Sequence, residues 1–562
     1  ESCLNANQLQ QLEEWFASNP SPDRIIYLLN STPKEQPESI LLNRCNYLLN
    51  LLKAIQTIPN PPQLFLVTQG AQPFELEQPS LGFQSPLWAM GRVIALENPQ
   101  LWGGMLDLDP DVDINQNITA LLLGLTHAHD EDHLVFRKGQ GYVARLLPLK
   151  SLETTTVKIQ PEATYLITGG IGHLGLELAE HLVNLGAKHL ILTTRRSLPA
   201  RFLWDSATEL AQISEKIRKL EEKGASIEVI SADVGNFEAM QAIFTQIEKT
   251  AYPLRGIFHL AGISGRQAQL KDCTLQDLEA VFQAKVKGSW NLHQLSLGTQ
   301  LDYFVLFSSA GAIWGAKEQG LYDTVSHWLD ALAHFRHLQQ LPATTLNWAL
   351  LAGHGIVSQD YEDWLKQIGI REIAPDMALR VMDAIMASNQ TQVLIADVDW
   401  VRFKNIYQFK GEKPLLKNLG LSEIPIKSVQ ESYSVLHLLE DIPLGERREY
   451  LLEYVSKQVR IILGIKSMPD SEQGLIEMGI DSLSSIELKN RLEKGLEVLL
   501  PTSLVFDFPN IRRLVDYLFD RIFGEKVQKT AEKMINFTEV QQEISEDLIL
   551  QELTDLEAFL GD

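Results

Sequence analysis

The sequence predicts an α/β protein in which a doubly wound parallel sheet is followed by a small helical domain. Three observations predict this fold. From residue 164 onward, short apolar runs alternate with helix-length amphipathic segments, and a glycine-rich turn follows the first of these runs. Beyond a polar stretch that ends near residue 435, the pattern is helical only. Strands separated by helix-length segments pair in parallel through right-handed crossovers, which favours the doubly wound sheet.

The predicted strands of the sheet are the apolar runs 165–168, 190–193, 227–231, 256–260, 304–307 and 344–346. Ahead of them, residues 1–155 contain a helical stretch over 8–16 and a buried strand over 63–68. No catalytic constellation can be assembled there, so we predict a structural subdomain. We expect the sheet to occupy residues 156–405, a linker rich in Lys, Pro, Ser and Glu to occupy 406–437, and helices to occupy 438–524. A separate tail covers 525–562.

The charge balance argues against polyanionic partners. The chain carries 49 Lys and Arg against 72 Asp and Glu, a net charge of −23. Such a surface repels phosphate backbones and anionic lipids, so neither nucleic acid nor a membrane is expected as a partner. No apolar run approaches the roughly 18 to 20 residues that cross a bilayer.

Cysteine usage favours a reducing compartment. Cys3, Cys45 and Cys273 are far apart and odd in number, which fits neither a disulfide framework nor a Cys-x-x-Cys zinc site. We therefore expect a cytoplasmic protein without a metal site. The chain begins at Glu1 without an initiator Met or a secretory signal, which suggests a segment of a longer polypeptide.

A glycine-rich turn follows the predicted strand 165–168 and opens a helix near Leu176. It contains G-x-G-x-x-G within Thr168-Gly169-Gly170-Ile171-Gly172-His173-Leu174-Gly175. Glycines allow a tight turn and bring backbone N–H groups close to a pyrophosphate at the helix N-terminus. The turn therefore predicts a dinucleotide site.

The ends of the next two strands indicate which dinucleotide is bound. Thr194, Arg195 and Arg196 stand where an NAD enzyme presents an acidic residue to the ribose. Guanidinium groups there favour a 2′-phosphate and hence NADP(H), although a solvated basic pair would also explain them. Asp233 and Val234, after the third strand, are predicted to border the adenine.

Two further residues suggest carbonyl chemistry. Ser309 ends a strand, and Tyr322 lies thirteen residues later on the following helix. A phenol can protonate the alkoxide that hydride addition creates, if an ammonium lowers its pKa and a serine hydroxyl holds the carbonyl oxygen. Lys285 is the candidate ammonium. In isolation, however, the same residues are typical of an ordinary core tyrosine and a surface lysine.

Residues 50–405 resemble the ketoreductase domain of modular polyketide synthases, a relative of the short-chain dehydrogenases/reductases. The resemblance rests on Pro86-Leu87-Trp88 and its continuation to Asp109, the glycine turn, His259-Leu260-Ala261-Gly262, the segment around Lys285, and 309–333. It implies a Rossmann-like reductase preceded by a Rossmann-like structural subdomain, with NADPH as hydride donor. It also implies that Ser309 polarises the β-keto oxygen, Tyr322 donates the proton, Lys285 supports the tyrosine, and Ala261 and Gly262 join the cofactor site.

One departure from the family pattern and two markers of stereochemistry refine this resemblance. The family usually has Asn four residues after the tyrosine, and this chain has Ser326, so a silent reductase that serves as a scaffold stays an alternative. Trp314, eight residues before Tyr322, resembles the A-type marker and implies an L-β-hydroxyl product. Gln319 in place of His suggests no epimerisation at the α-carbon. A helical segment over 352–368 would form a lid.

Residues 440–522 resemble an acyl carrier protein. The resemblance rests on Gly479-x-Asp481-Ser482-Leu483 and on 504–511, and it implies that Ser482 carries a 4′-phosphopantetheine arm. By residue type alone, Asp481-Ser482 would be only a good helix cap. The fused carrier argues against a free-standing dehydrogenase that acts on a soluble metabolite. The implied partners are a carrier-bound β-ketoacyl substrate, upstream and downstream synthase domains and a phosphopantetheinyl transferase.

The tail resembles a C-terminal docking segment. From residue 538 to 562 it has eight acidic residues, no Lys or Arg, and apolar residues at helical spacing. A short isolated helix is marginal in water, so this one should bury its apolar stripe against a basic partner helix or against its own chain. The parent synthase is expected to be a homodimer.

Overall fold

The computed structural model describes residues 9–18, 22–29, 36–56, 58, 61–74, 84–127, 131–149, 156–199, 201–206, 208–353, 358–388, 390–407, 413–419, 444–463, 465, 468–496, 498–501 and 503–523. They form two compact units that divide between Val398 and Asp399. The predicted docking segment, 525–562, lies outside the described residues, as does most of the predicted linker. Within that linker, Leu416 and Leu419 are described and are buried.

The first unit begins with a five-stranded sheet in the order β1-β2-β3-β4-β5. Its strands are β1 (Arg24–Leu28), β2 (Gln63–Gln69), β3 (Trp102–Leu108), β4 (His133–Arg137) and β5 (Gln140–Val143). Strands β1 to β4 are parallel, and β5 pairs antiparallel with β4. The helices around it are α1 (Leu9–Ser18), α2 (Pro37–Gln56), α3 (Pro86–Glu97) and α4 (Ile114–His127).

The sequence predicted β2 and α1 but not β3. Strand β3 contains Gly103 and Gly104, which lower the strand propensity of the segment. Their place in the strand has a packing reason, since a Cβ on Gly103 would overlap the Phe65 ring of β2. A close approach between neighbouring strands of this kind is not visible in the local sequence.

A buried ion pair lies at the carboxyl ends of β2 and β3. The Asp107 carboxylate accepts hydrogen bonds from Thr68 Oγ1 (2.6 Å), from Ala71 N (2.8 Å) and Gln72 N (3.0 Å), and from Arg137 Nη2 (2.7 Å). Asp107 is 0% and Arg137 2% exposed. This edge is where open parallel sheets usually bind ligands. Here, side chains satisfy one another at the strand ends, as a structural subdomain requires.

The second sheet has seven parallel strands in the order β14-β11-β10-β9-β6-β7-β8. Its strands are β6 (Thr164–Thr168), β7 (His189–Thr194), β8 (Ser226–Ser231), β9 (Leu254–His259), β10 (Tyr303–Ser309), β11 (Thr344–Trp348) and β14 (Gln392–Ile395). The chain enters at β6, runs outward to β8 and returns to β9 on the other side of β6. The doubly wound prediction is therefore confirmed, and the topological switch point lies between β6 and β9.

The helices of this region follow the strands in the alternation that the sequence predicted. They are α5 (His173–Asn184), α6 (Thr208–Glu222), α7 (Phe237–Glu248), α8 (Leu275–Phe282), α9 (Ser289–Leu295), α10 (Gly311–Trp314), α11 (Gly320–Leu338), α12 (Gln359–Gln367) and α13 (Pro375–Ala387). A small sheet joins β12 (Leu350–Leu351), β13 (Ile370–Ile373) and β15 (Asp397–Val398). In the predicted lid over 352–368, the described helix begins only at Gln359.

The second unit is helical, as predicted, but it begins at Asp399, inside the range 156–405 that the sequence assigned to the sheet. It contains α14 (Trp400–Tyr407), α15 (Leu444–Leu463), α16 (Ser482–Leu496), α17 (Leu504–Asp507) and α18 (Ile511–Phe523). Its core is built from aliphatic residues of the longer helices, among them Leu451, Val455, Leu488, Leu492 and Leu514. Among the described helices of the whole chain, none combines the length and the apolar character that a membrane span requires.

The buried ion pair provides a test of the structural subdomain. Arg137→Met leaves the Asp107 carboxylate buried without its cation and should lower the free energy of unfolding by about 3–5 kcal/mol. Urea titration followed by tryptophan fluorescence measures this loss. The control is Arg371→Met, which breaks a solvent-exposed pair with Asp397 and should cost less than about 1 kcal/mol. Equal costs for the two variants would contradict the assignment of Arg137 to the stability of this sheet.

Candidate active site and carrier

The glycine turn lies between β6 and α5 and has the shape that a pyrophosphate needs. Gly169 has a φ of +70°, and a Cβ on Gly170 would lie 2.8 Å from Leu192 Cβ. A Cβ on Gly175 would lie 2.5 Å from the Gly169 carbonyl oxygen. Gly172 is the N-cap of α5 and has no side chain to cap the helix. Because the first-turn N–H groups of α5 have no capping side chain, the turn fits a phosphate-bearing cofactor.

Thr168 links the glycine turn to the end of β9 by hydrogen bonds across the topological switch point. Thr168 Oγ1 shares a hydrogen bond with His259 Nδ1 (2.7 Å) and accepts one from Ala261 N (3.3 Å). Burial, followed by the charge of Lys285, lowers the pKa of His259 to about 3, so the ring is neutral. Thr168 therefore holds the backbone of the predicted cofactor loops together.

The other predicted cofactor residues follow β7 and β8 on the same edge of the sheet. Arg195 and Arg196 are exposed, whereas Thr194 is buried and its Oγ1 accepts a hydrogen bond from Arg196 N (3.2 Å). Asp233 Oδ1 accepts one from Gly235 N (2.9 Å). Val234 is buried and packs in the core. Both arginines are thus exposed at the rim, while Thr194 and Val234 are buried beneath it.

A cavity of about 150 Å³ lies at the carboxyl ends of β9, β10 and β11. It is lined by residues that the sequence predicted for three roles: catalysis, stereocontrol and cofactor binding. These are Ser309, Tyr322, Lys285, Trp314, Gln319, Leu174 and Gly262. Ile171 is instead buried in the core of this sheet. Side chains of α12 complete one wall, which places the described part of the predicted lid over the cavity.

Lys285 lies on a π-helical turn, Gln283–Gly288, between α8 and α9. Such turns are common at functional sites because they displace one side chain from the regular helical position. Lys285 Nζ donates a hydrogen bond to Phe307 O (2.9 Å) and lies 4.9 Å from the centroid of the Tyr322 ring. Burial lowers the pKa of Lys285 to about 8, and the carboxylates of Asp330 and Asp323 limit the decrease.

The Tyr322 phenol departs from the sequence-based expectation in one respect. Burial, followed by the charge of Asp323, raises its pKa to about 12, whereas a lowered pKa was expected from a neighbouring ammonium. The Lys285 ammonium donates to a backbone carbonyl and lies over the ring, and it does not offset the burial of the phenol. The phenol is therefore held firmly in its protonated form, which is the form that a proton donor needs.

Two adjacent serines at the end of β10 both line the cavity, but their hydroxyls have different partners. Ser309 Oγ accepts a hydrogen bond from Gly311 N (3.1 Å), which leaves its hydroxyl proton available. Ser308 Oγ donates to the Ser326 carbonyl (3.0 Å) and accepts from Asn347 Nδ2 (3.0 Å). The Ser308 hydroxyl is therefore committed to other groups of the protein.

Ser326 lies one turn after Tyr322 on α11 and is buried. Its hydroxyl oxygen has no hydrogen-bond partner of good geometry among the described residues. The hydroxyl nevertheless lies close enough to the Tyr322 phenol to lower the pKa of that phenol, an effect that the larger effect of burial outweighs. It does not line the cavity. Ser326 thus acts, at most, through Tyr322.

Helix α3 of the structural subdomain holds the loop that carries Trp314 and Gln319. Arg92 Nη1 donates to Ala312 O (2.6 Å), and Glu97 accepts hydrogen bonds from Glu318 N (2.9 Å) and Leu270 N (2.9 Å). Glu318 has a φ of +62°, an uncommon backbone conformation for a residue with a side chain. Sequence reasoning missed this role, because nothing in the local pattern of α3 marks residues that contact a loop more than 200 positions away.

The cavity also contains a carboxyl group that sequence reasoning missed. Asp323 is 1% exposed and lines the cavity, and its Oδ2 accepts a hydrogen bond from Ala316 N (2.8 Å). A Cβ on Gly311 would overlap Asp323 Oδ1. The available signal was an acidic residue on the apolar side of α11, directly after the tyrosine.

In the second unit, Ser482 is the first residue of α16. Asp481 Oδ1 accepts a hydrogen bond from Ser484 N (2.8 Å) and so caps this helix. Gly479, with a φ of +103°, forms the turn before it. The predicted attachment site therefore lies at the loop-to-helix junction where the sequence placed it.

Comparison with known proteins identifies the family. Residues 163–353 match the KR domain, and residues 449–518 match the phosphopantetheine attachment site. The solved structure of the first ketoreductase of the tylosin PKS is 30% identical, with a TM-score of 0.63, over 73% of this chain and 85% of that one. The chain belongs to the ketoreductases of polyketide synthases.

Other relatives agree with this family. An A1-type ketoreductase of solved structure is 28% identical, with a TM-score of 0.66, over 73% of this chain and 85% of that one. Polyketide synthase GfsA of Streptomyces halstedii is 31% identical over 85% of this chain, and erythronolide synthase EryA3 of Saccharopolyspora erythraea is 32% identical over 81%. The ketoreductase with its carrier spans 6% and 14%, respectively, of the lengths of these two relatives.

The family also establishes the cofactors. Ketoreductase domains use NADPH, and the carrier domain bears 4′-phosphopantetheine. The glycine turn fits the first of these groups, because added Cβ atoms would block its backbone. The second group belongs to the carrier domain, whose family match covers residues 449–518.

The contact between Gly311 and Asp323 can be tested by a double-mutant cycle in the ketoreductase. Gly311→Ala should destabilise the fold by about 1–3 kcal/mol, since the new Cβ overlaps a carboxyl that Ala316 N holds in place. In an Asp323→Ala background the same change should cost about 1–2 kcal/mol less. Urea unfolding of the four proteins measures the coupling.

A matched control is Gly298→Ala, because a Cβ on Gly298 meets nothing within 4 Å. This variant should be neutral in both backgrounds. Additive costs for Gly311→Ala and Asp323→Ala would contradict the packing of the carboxyl against Gly311.

Proposed function

We propose that this chain uses NADPH to reduce the β-keto group of a polyketide intermediate tethered to its own carrier domain. The observation that carries the proposal is the meeting of Ser309, Tyr322 and Lys285 in one cavity beside the glycine turn. The family membership supports the reaction class, and the attached carrier supports a tethered substrate. A tethered substrate is present at an effective concentration of roughly millimolar, so no free ketone is needed.

In this proposal the three side chains have different roles at the β-keto group. The Ser309 hydroxyl, which already accepts Gly311 N–H, donates a hydrogen bond to the β-keto oxygen and so fixes its position. NADPH, when bound at the glycine turn, supplies the hydride. The Tyr322 phenol gives its proton to the same oxygen as negative charge develops there. The Lys285 ammonium, close to the phenol ring, stabilises that charge and the phenolate that remains.

The cofactor preference for NADPH rests in this chain on Arg195 and Arg196. Both are exposed at the end of β7, on the sheet edge that carries the glycine turn. Two guanidinium groups there bind a 2′-phosphate, which NAD lacks. Asp233, after β8, borders the adenine in this proposal.

The product is proposed to be the L-β-hydroxyacyl chain, the outcome of an A-type ketoreductase. This assignment rests on Trp314 and Gln319, which are 4% and 6% exposed and line the cavity together. Arg92 and Glu97 fix their loop from α3, so the two side chains form a rigid wall against which the acyl chain orients.

Further partners follow from the carrier. We propose that a phosphopantetheinyl transferase modifies Ser482 and that the reduced chain passes to the next synthase subunit through the acidic tail 525–562. The parent synthase is proposed to be a cytoplasmic homodimer. The thiols Cys45 and Cys273, both buried, agree with a reducing compartment.

The silent-scaffold alternative is favoured by one observation, the replacement of the usual Asn by Ser326. The buried hydroxyl of Ser326 makes no hydrogen bond of good geometry among the described residues, so a relay through it would be weak. The described geometry of Ser309, Tyr322 and Lys285 favours the active reductase, since each lines the cavity.

The reaction is tested by NADPH absorbance with a β-ketoacyl N-acetylcysteamine thioester. Tyr322→Phe should lower kcat/KM at least about 100-fold, because the proton donor is lost. Tyr303→Phe is the matched control, since its hydroxyl bonds only the backbone of Lys158 among the described residues, and it should leave the rate unchanged. Chiral chromatography should show the L-alcohol. A rate above background that survives Tyr322→Phe would refute the proposed proton donor, and a D-alcohol would refute the assignment of Trp314.

The charge of Lys285 predicts the pH profile. Since its pKa is lowered to about 8, the ammonium is present below that pH and is lost above it, so kcat/KM should fall as the pH rises through about 8. Asp330→Asn should move this decrease to lower pH, because the Asp330 carboxylate raises the pKa of Lys285. An amide can still bond Asn347 and Thr345, which now bond the carboxylate. A decrease that does not move would contradict the assignment to Lys285.

A further inference from the structure

The reaction described above leaves several polar groups of the cavity without a role, and Asp323 is the one next to Tyr322 in the chain. Asp323 follows Tyr322 on α11, lines the same cavity and is nearly inaccessible to bulk solvent. Its Oδ2 accepts the hydrogen bond from Ala316 N, and its Oδ1 has no hydrogen-bond partner among the described residues. A buried polar atom that lacks a partner costs free energy, which a bound ligand can recover.

The backbone around Asp323 makes room for this carboxyl. Gly311, the first residue of α10, faces Oδ1, and any larger residue at that position would overlap it. Ala316 N fixes the other oxygen at 2.8 Å. The carboxyl is thus held in one orientation: Oδ2 is committed to the loop, and Oδ1 packs beside Gly311 without a hydrogen-bond partner among the described residues.

Charged and titratable groups face Asp323 from three sides. Arg92 and Glu97 approach from α3, Lys285 from the π-helical turn, and the Tyr361 phenol from α12. Arg92 and Lys285 lower the pKa of the carboxyl, but burial outweighs them and raises it well above the usual value. Burial thus favours the protonated acid. In that form Oδ2 accepts Ala316 N–H, so the proton is on Oδ1, which makes Oδ1 a hydrogen-bond donor.

The chemistry of the proposed substrate supplies a matching acceptor. A β-ketoacyl thioester has two carbonyl groups separated by one carbon atom. In the proposed reaction the β-keto oxygen accepts a hydrogen bond from Ser309 and the proton of Tyr322. The thioester carbonyl is the other acceptor that every such substrate brings, whatever its chain length.

We propose that the Asp323 carboxylic acid binds substrate, donating a hydrogen bond from Oδ1 to the thioester carbonyl oxygen. The inference rests on the proposed function, because it takes a β-ketoacyl thioester as the ligand. Two hydrogen-bonded carbonyls fix the rotation of the acyl group, so that one face of the β-carbon is presented for reduction. Asp323 would thereby add to the stereocontrol exerted by the wall at Trp314 and Gln319.

The test compares two ketones that differ in the thioester. One is acetoacetyl N-acetylcysteamine thioester, and the other is cyclohexanone, which has no second carbonyl. Asp323→Ala should lower kcat/KM for the thioester about 10- to 100-fold and leave that for cyclohexanone within about 2-fold. Asp323→Asn keeps a donor of similar size and should restore most of the thioester rate. The control Asp360→Asn removes an exposed carboxylate from α12 and should change neither.

A binding measurement separates this inference from the proposed function. Calorimetry with the same thioester should give a Kd that rises about 10-fold in Asp323→Ala and little in Asp323→Asn. If the unaltered chain binds the thioester with this pattern but oxidises no NADPH, the reductase proposal fails and the inference stands. Equal losses for the thioester and cyclohexanone, or an unchanged Kd in Asp323→Ala, would overturn the inference. Circular dichroism of each variant confirms that it is folded.

Discussion

Removing the Lys285 ammonium from water is costly, and the elements around the cavity are arranged so as to offset that cost. The π-helical turn brings its Nζ to the Phe307 carbonyl at the end of β10. Asp330 and Asp323, both on α11, oppose the effect of burial on its pKa. The same burial raises the pKa of Tyr322 and Asp323, which favours their protonated forms. A buried site that combines an ammonium with two such acids is suited to proton donation.

The structural subdomain contributes to this site without entering it. Its own sheet edge is occupied by the Asp107–Arg137 pair, and α3, which packs against that sheet, also holds the loop before α11. Glu97 is half-buried and accepts hydrogen bonds from two backbone N–H groups, so the contact is specific. Stereocontrol and stability are therefore linked, because the loop that orients the acyl chain depends on a helix from the other sheet.

The sequence predicted the doubly wound sheet, the glycine turn and the location of Ser309, Tyr322 and Lys285, since each depends on a local pattern or on resemblance to a known family. It did not predict the raised pKa of Tyr322, because burial depends on packing from many elements. Asp323 and its contact with Gly311 were missed for a related reason. An acidic residue on a helix is ordinarily exposed, and only the folded loop brings Gly311 and Ala316 against it. The predicted tail lies outside the described residues and stays a prediction.

Intact-mass analysis of the loaded chain tests the central claim most directly. Ser482 would be charged with a β-ketoacyl-phosphopantetheine arm by a phosphopantetheinyl transferase, and the protein would then be incubated with NADPH. The account predicts that the acyl chain gains the mass of two hydrogen atoms, and that Ser309→Ala, which keeps the fold and the carrier, abolishes the gain. A loaded carrier whose acyl mass does not change, in protein that binds NADPH, would contradict the account and leave a scaffold with a working carrier.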